Sequence, residues 1–272
     1  MELSSDRQSR TYCPACASKK LSIAFDRQSW ARQVADKRDS RPTFAGIMAA
    51  DPALAFEHML RCDVCGTLFT DHIPTIPALN GFYQAVYAND GYLNKLERKL
   101  ALEKRRVFAL KWLTSGRRFL DIGCNIGCAV EAARWNGFAA TGIDLSEYAM
   151  QIARERFSKN RFLQGTIDVL DAGSVFDLVY CSEVVEHVSD PPGFFRSLSG
   201  TVASGGVLML TTPDAGHFSV RNNQIDWDSV KPPEHITLFT KAGLKYALTP
   251  YFKSIWFLPN RKPGIQLIAR RG

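Results

Sequence analysis

Long apolar runs are missing from this chain. The longest stretches, such as GVLML at 206–210, fall far short of the roughly 20 apolar residues that a helix needs to cross a bilayer. The opening residues, MELSSDRQSR, contain nothing like the apolar core of a secretory signal. The expectation is therefore a cytoplasmic protein with reduced thiols and no membrane span. Low hydrophobicity is also absent. Of the 272 residues 46% are hydrophobic and 22% charged, so disorder is excluded as the main state. That length suits one large domain, or a core domain with a smaller attachment. The formal charge of +7 permits an anionic partner without requiring one.

Cysteine is sparse but unevenly placed. Four of the seven form two tight pairs, Cys13/Cys16 in YCPACASKK and Cys62/Cys65 in RCDVCGTLF. Paired Cys-x-x-Cys motifs under reducing conditions favour metal over disulfide, and two such knuckles supply four thiolates for a tetrahedral zinc. Such a closed site is structural. The other reading is two pairs of small buried apolar residues. Between the pairs, RQSWARQVADKRDSRP reads as basic and irregular, and DPALAFEHML as a short helix.

Residues 76–115 read as helical, with Leu96, Leu100, Leu102, Val107 and Leu110 at helical spacing. The opposite face is basic: Lys95, Arg98, Lys99, Lys104, Arg105, Arg106 and Lys111, with Glu97 and Glu103 giving partial pairing. A solvated face is one reading, a surface for an anionic partner the other.

From residue 117 the rhythm changes. Short apolar strands (RRFLDIG, FAATGIDLS, RFLQGT, VFDLVYCSE, GGVLMLTTPD) alternate with helical segments, predicting a parallel sheet with helices on both faces. FKSIWFLP and GIQLIARR are separated only by NRKP, too short for a crossover helix, so they are expected to pair antiparallel. FLDIGCNIG is a strand entering a turn and a helix, and Asp144 ends the next strand at the spacing for ribose hydroxyls. The turn lacks the Gly-x-Gly-x-x-Gly fingerprint. Asp121 at the strand end repels phosphate and suits an ammonium or sulfonium, which points away from a dinucleotide and toward a cationic nucleoside.

LDIGCNIG, GIDLS, FDLVYCSEVVEHV and GGVLMLTTPD, in that order, resemble the class I S-adenosylmethionine-dependent methyltransferases. The resemblance covers 117–272 and implies an α/β, Rossmann-like, doubly wound seven-stranded sheet with an antiparallel last strand. Ahead of it the cysteine pairs and FYQAVY resemble the zinc-binding leader of a subgroup linked to sugars, lipids or secondary metabolites. The expected division is a zinc-ribbon-like module at 1–75, a helical linker or cap at 76–115 and the methyltransferase domain at 116–272. By resemblance Asp121, Gly123 and Gly127, with Cys124 and Asn125 between them, line the methionine and ribose end of the cofactor. Asp144 binds the ribose hydroxyls and Leu145 packs on the adenine. Thr166 and Ile167 stand on the adenine side, and Ser182 and Glu183 at the mouth shared with the substrate. Two positions depart from the pattern: Asn125 replaces a glycine but tolerates left-handed backbone, and Thr166 stands where an aspartate is common.

SEVVEHV also resembles the same stretch in ubiquinone-biosynthesis O-methyltransferases, which implies a divalent metal, magnesium, at Glu183, Glu186 and His187. Two other roles stay open for Glu186 and His187: holding the loop by hydrogen bonds, and, for His187, general base. If a helical turn starts here, the three side chains share one face. In KPPEHITLFT, His235 is the preferred base, and the alternative is a histidine that pins the loop to the sheet. Asp226, Trp227 and Asp228 are expected along the acceptor pocket. Cys181 reads as core. No Asn-Pro-Pro-Tyr-type motif follows the fourth strand, which disfavours methylation of a base or amide nitrogen. The expected reaction is O-methylation of a small molecule. The runner-up is RNA methylation, with Trp30 placed to stack a base.

Overall fold

The computed structural model describes residues 8–87 and 96–272. Seven strands form the main sheet: β6 (Arg118–Ile122), β7 (Ala139–Asp144), β8 (Arg161–Gln164), β9 (Phe176–Ser182), β10 (Val202–Pro213), β12 (Ser254–Phe257) and β13 (Gly264–Arg270). Their order is β12-β13-β10-β9-β6-β7-β8. All pairings from β10 to β8 are parallel, and β13 runs antiparallel to both neighbours. Every predicted strand is present. Helices α5 (Cys128–Trp135), α6 (Glu147–Arg156), α7 (Pro191–Thr201) and α8 (Lys241–Leu248) supply the connections. Leu120, Val179, Cys181, Leu208 and Leu210 bury on one face of the sheet and Phe119, Leu178, Tyr180, Val207 and Met209 on the other. That is the signature of a sheet covered on both sides. Cys181 is core, as expected.

The helix starts follow from capping chemistry. Ser146, Asp190 and Thr240 each accept a backbone N–H three residues on, at Ala149, Gly193 and Gly243. On α5, burial alone would push the carboxyl of Glu131 up, but hydrogen bonds from Arg134, Asn160 and Trp135 outweigh it and bring it down to about 2. A depressed carboxyl stabilises the fold above its unfolded value near 4.5, and that stabilisation is lost as pH falls from there toward 2. Urea midpoints measured across this window should fall with pH, and Glu131→Gln should flatten the fall.

The N-terminal half differs from expectation. β2 (Leu21–Asp26), β3 (His58–Cys62), β4 (Leu68–Thr70) and β11 (Thr237–Leu238) make a second sheet, and β1 (Gln8–Ser9) pairs with β5 (His72–Ile73). The stretch read as irregular contains α1 (Arg27–Val34), capped by Asp26 and burying Trp30 and Val34. It is followed by α2 (Arg41–Ala50), with Pro42 in its first turn. The segment read as a short helix holds a single 3-10 turn at Pro52–Leu54 and then strand β3. Its apolar residues serve a half-covered sheet rather than a helix face.

Helices α3 (Ile76–Tyr87) and α4 (Leu96–Leu110) occupy the predicted helical region, and the expected helix over 88–95, with Lys95, lies outside the described residues. On α4, Leu96, Val107 and Leu110 are buried as expected, but Leu102 is exposed and Glu103 is buried. The acid points inward because Tyr180 on β9 donates to it at 2.9 Å and Arg106 at 3.0 Å. No helix among the described residues is long and apolar enough to cross a membrane.

The two sheets are joined. β11, from the segment before α8, pairs antiparallel with β4. Trp30, Phe44, Met48, Trp227, Val230 and Leu238 share one core. Trp30 is fully buried and donates to the Val230 carbonyl at 3.1 Å, so it is unavailable for base stacking. Asp226 pairs with Lys37, and Trp227 packs in this shared core. The two are spent on module packing rather than on the expected acceptor pocket. Asp228 is exposed.

Candidate active site

Ligands of an open α/β sheet bind outside the carboxyl ends of its strands. Here those ends belong to β6, β7, β9 and β10. After β6 the chain turns through Gly123 (φ 72°), Asn125 (φ 49°) and Gly127 (φ 82°), three left-handed residues in five. Asn125 takes the left-handed conformation anticipated for it. A Cβ at Gly127 would stand 2.7 Å from the ring of Phe162. The absence of a side chain there is therefore demanded by the core under the loop.

Asp144 organises this turn. Its Oδ2 accepts the Asn125 N–H at 2.8 Å and its Oδ1 the Ser146 N–H at 2.9 Å. Burial pushes its carboxyl up against the pull of these bonds. Each oxygen keeps a further lone pair for a hydroxyl. Leu145, next in the chain, is 61% exposed, a large apolar side chain left beside the loop. Cys124 is buried. Thr166 caps the 3-10 turn Ile167–Val169, and its hydroxyl donates to Asp168 at 3.0 Å. Asp168 is an exposed acid beside Thr166 that was not among the residues expected at the site. The missing aspartate at 166 was the only signal to look nearby.

Asp121 is buried, and burial together with Glu103 raises its carboxyl well above the usual range, with Lys99 opposing. A neighbouring acid in a dry place disfavours the charged form of Asp121, while Glu103 itself already has Arg106 and Tyr180 as partners. Glu103 was read as surface, so its contribution was invisible without the packing of α4.

After β9 the chain makes a sharp turn. Glu183 is left-handed (φ 57°), a strained conformation for a non-glycine residue. Its N–H reaches the Thr211 carbonyl on β10, and the Thr211 hydroxyl donates to its carboxylate at 3.0 Å. Ser182 meets the same hydroxyl at 2.8 Å. The following turn, Val185–His187, is 3-10 rather than α. Glu183 is consequently exposed while Glu186 is fully buried, and the three side chains do not share a helical face.

His187 and His235 meet edge to face, with ring centroids 4.8 Å apart. His187 Nδ1 lies 2.8 Å from the Glu234 carbonyl and His235 Nδ1 2.8 Å from that of Ser229. A carbonyl only accepts, so both rings carry hydrogen on Nδ1 and leave Nε2 as a lone pair. Burial holds His187 down to about 4 and His235 well below the usual histidine range, so both rings are neutral at pH 7. The structure thus unites the two histidines that the sequence offered as separate bases.

The four paired cysteines also converge. Cys13 and Cys65 sulfurs are 3.6 Å apart and Cys16 and Cys62 sulfurs 3.5 Å. A tetrahedral zinc with bonds near 2.3 Å needs edges of about 3.8 Å. Each knuckle closes on a left-handed residue just past its second cysteine, Ala17 in one and Gly66 in the other. The Cys65 thiol is drawn down to about 5 by its contacts with Cys13 and Thr67.

Residues 92–250 match the family described as Methyltransferase domain, more than half of the chain. A mitochondrial ubiquinone biosynthesis O-methyltransferase of Schizosaccharomyces pombe is 36% identical over 114 residues, covering 39% of this chain and 41% of that protein. One from Vibrio vulnificus is 32% identical over 103 residues, covering 36% and 44%. The chain spans about two fifths of the length of these curated relatives. Among solved structures, a Pyrococcus horikoshii protein superposes with TM-score 0.55 at 16% identity, covering 71% of this chain and 99% of its own. The N-terminal domain of EvdMO1 with SAH bound superposes at 0.51 with 18% identity, covering 62% and 81%. Both show the same fold. The chain belongs to the family described as Methyltransferase domain.

Proposed function

We propose that the enzyme transfers the methyl group to a hydroxyl of a small molecule: a sugar, lipid or phenol. The carrying observation is the neutral imidazole pair of His187 and His235, whose lone-pair nitrogens lie beyond the carboxyl end of β9. Methylation of oxygen needs the acceptor held in line with the sulfonium and its proton removed, and a neutral imidazole suits the second task. The curated relatives are named as ubiquinone O-methyltransferases, which supports oxygen as the acceptor atom.

Asp121, Gly123, Cys124, Asn125 and Gly127 are assigned to the methionine and ribose end of the cofactor. Asp144 takes the ribose hydroxyls, and Leu145, Thr166 and Ile167 the adenine. Ser182 and Glu183 are given to the mouth. The buried acid Asp121 fits the cofactor's ammonium. Cys13, Cys16, Cys62 and Cys65 are assigned to a structural zinc. Residues 1–75, 76–115 and 116–272 are taken as module, cap and catalytic domain. The segment carrying β11 is lent by the last to the sheet of the first. No observation supports the expected magnesium at Glu183, Glu186 and His187; the Thr211 hydroxyl donates to Glu183, and Glu186, His187 and His235 lie in one cluster.

RNA remains the second reading, on one observation. Phe108, Trp112 and Trp135 are exposed, with Lys111 lying over the first two rings and Lys104 over the third. Isotope-labelled S-adenosylmethionine offered with phenolic, sugar and lipid hydroxyls in parallel with RNA decides between them. A labelled methoxy product supports the proposal. Label in RNA with steep salt dependence overturns it.

A further inference from the structure

The loop that follows β10 walls a cleft of about 440 Å³, a size common among small-molecule sites. Cys65 and Gly66 of the second cysteine knuckle and Lys241 at the start of α8 border it as well, and none of the residues assigned to the methyl donor or to proton removal lines it. The loop is fixed by its own bonds. The Asp214 N–H donates to the Pro263 carbonyl at 3.1 Å, the Ala215 N–H to the Phe239 carbonyl at 2.9 Å, and the Gln224 amide to the Ala215 carbonyl at 2.7 Å. His217 is 6% exposed. The Ser219 N–H donates to its Nδ1 at 3.3 Å, so Nδ1 supplies the lone pair and the ring hydrogen sits on Nε2. That Nε2 is buried and meets no acceptor among the described residues, an arrangement that is costly to keep. Asp214 is also buried. Its Oδ1 accepts the Gly216 N–H at 3.0 Å, and among the described residues no donor reaches Oδ2. Phe218 lies against the His217 ring, with centroids 4.3 Å apart, yet is 72% exposed.

One wall thus carries an orphaned donor, an open carboxylate oxygen and a bare phenyl ring. Asp214 repels an anion and Lys241 a cation, which leaves an uncharged ligand with donors and acceptors of its own. A hydroxyl is both at once: it accepts from the Nε2 hydrogen and donates to the carboxylate. A sugar ring offers neighbouring hydroxyls together with an apolar C–H face that can lie flat on an aromatic ring. We propose that Asp214, His217 and Phe218 bind a pyranose through two of its hydroxyls, at a site separate from the centre of methyl transfer. Rotation of the exposed Phe218 side chain, a fast motion, uncovers Nε2 and turns the ring face toward the sugar. Lys241 at the border donates to a further hydroxyl. The site stands on its own donors and acceptors and does not depend on which acceptor is methylated.

The test uses full-length protein with the methyl glycosides of glucose, mannose and galactose as probes, read by saturation-transfer NMR and by titration calorimetry. At least one should bind in the millimolar range or tighter, equally well with and without saturating S-adenosylhomocysteine. Phe218→Ala, at an exposed position whose loss leaves the core intact, should weaken that binding about tenfold. His217→Gln should weaken it at least as much, while His187→Gln leaves it unchanged. No binding of any of the three at tens of millimolar overturns the assignment. So does binding that survives Phe218→Ala intact, that S-adenosylhomocysteine displaces or that His187→Gln abolishes, and so does a preference for glycine or inorganic phosphate over all three sugars.

Discussion

Asp144→Ala should lower affinity for S-adenosylhomocysteine by about 100- to 1000-fold in calorimetric titration. The substitution removes the acceptor of two backbone N–H groups, those of Asn125 and Ser146, along with the proposed ribose contacts. Hydrogen bonds to a charged group are each worth about 1.5–3 kcal/mol, so losing two such interactions reaches this range. Asp144→Asn is the sharper variant. Its amide keeps one acceptor oxygen, so it should lose about tenfold at least while leaving the thermal melting point near that of the wild type. Unchanged binding by Asp144→Ala would remove this carboxylate from the cofactor site.

Removal of the zinc proposed for Cys13, Cys16, Cys62 and Cys65 should melt the N-terminal sheet before the main one. Structural zinc binding contributes about 10–16 kcal/mol at pH 7 in small zinc domains, more than the net stability of most domains. Chelation leaves four thiols, and Cys62→Ser three, with no metal beside Phe69, Phe239 and Leu244. Hydrogen exchange should then open residues 13–70. It should open 231–240 in the same phase, because β11 lies on β4 and the Thr240 hydroxyl donates to the Cys65 carbonyl. Amides of β6, β7 and β9 should keep their protection. Simultaneous loss across both sheets would show a single cooperative unit, and no change after chelation would show that the cysteines hold no metal.

The main sheet was legible because each strand announces itself locally, as a short apolar run bounded by glycine, proline or aspartate. The N-terminal module was not. Only Trp30 and Val34 of α1 are buried, among a majority of basic and polar neighbours, so periodicity gave too weak a signal. The Asp26 cap, with Ser29 three residues later, was the available clue. The cysteine pairs were readable because metal chemistry imposes a spacing. The site was readable in its parts rather than in its assembly. His187 and His235 each stood out, but their contact depends on the segment at 234–236 folding back onto the turn Val185–His187. Glu103 belongs to a basic helix face by sequence and to the interior by virtue of Tyr180, a strand away.

The pairing of Thr237 with Phe69 joins residues separated by more than half the chain. As the polypeptide leaves the ribosome, β2, β3 and β4 emerge together, but the outer edge of β4 has no partner until Thr237 and Leu238 have been made. Through most of synthesis the N-terminal module therefore exists as an unfinished sheet with one open edge, completed only when the catalytic domain has almost entirely appeared. Completion of the N-terminal sheet is in this way a late event, and truncation before β11 would leave that edge bare.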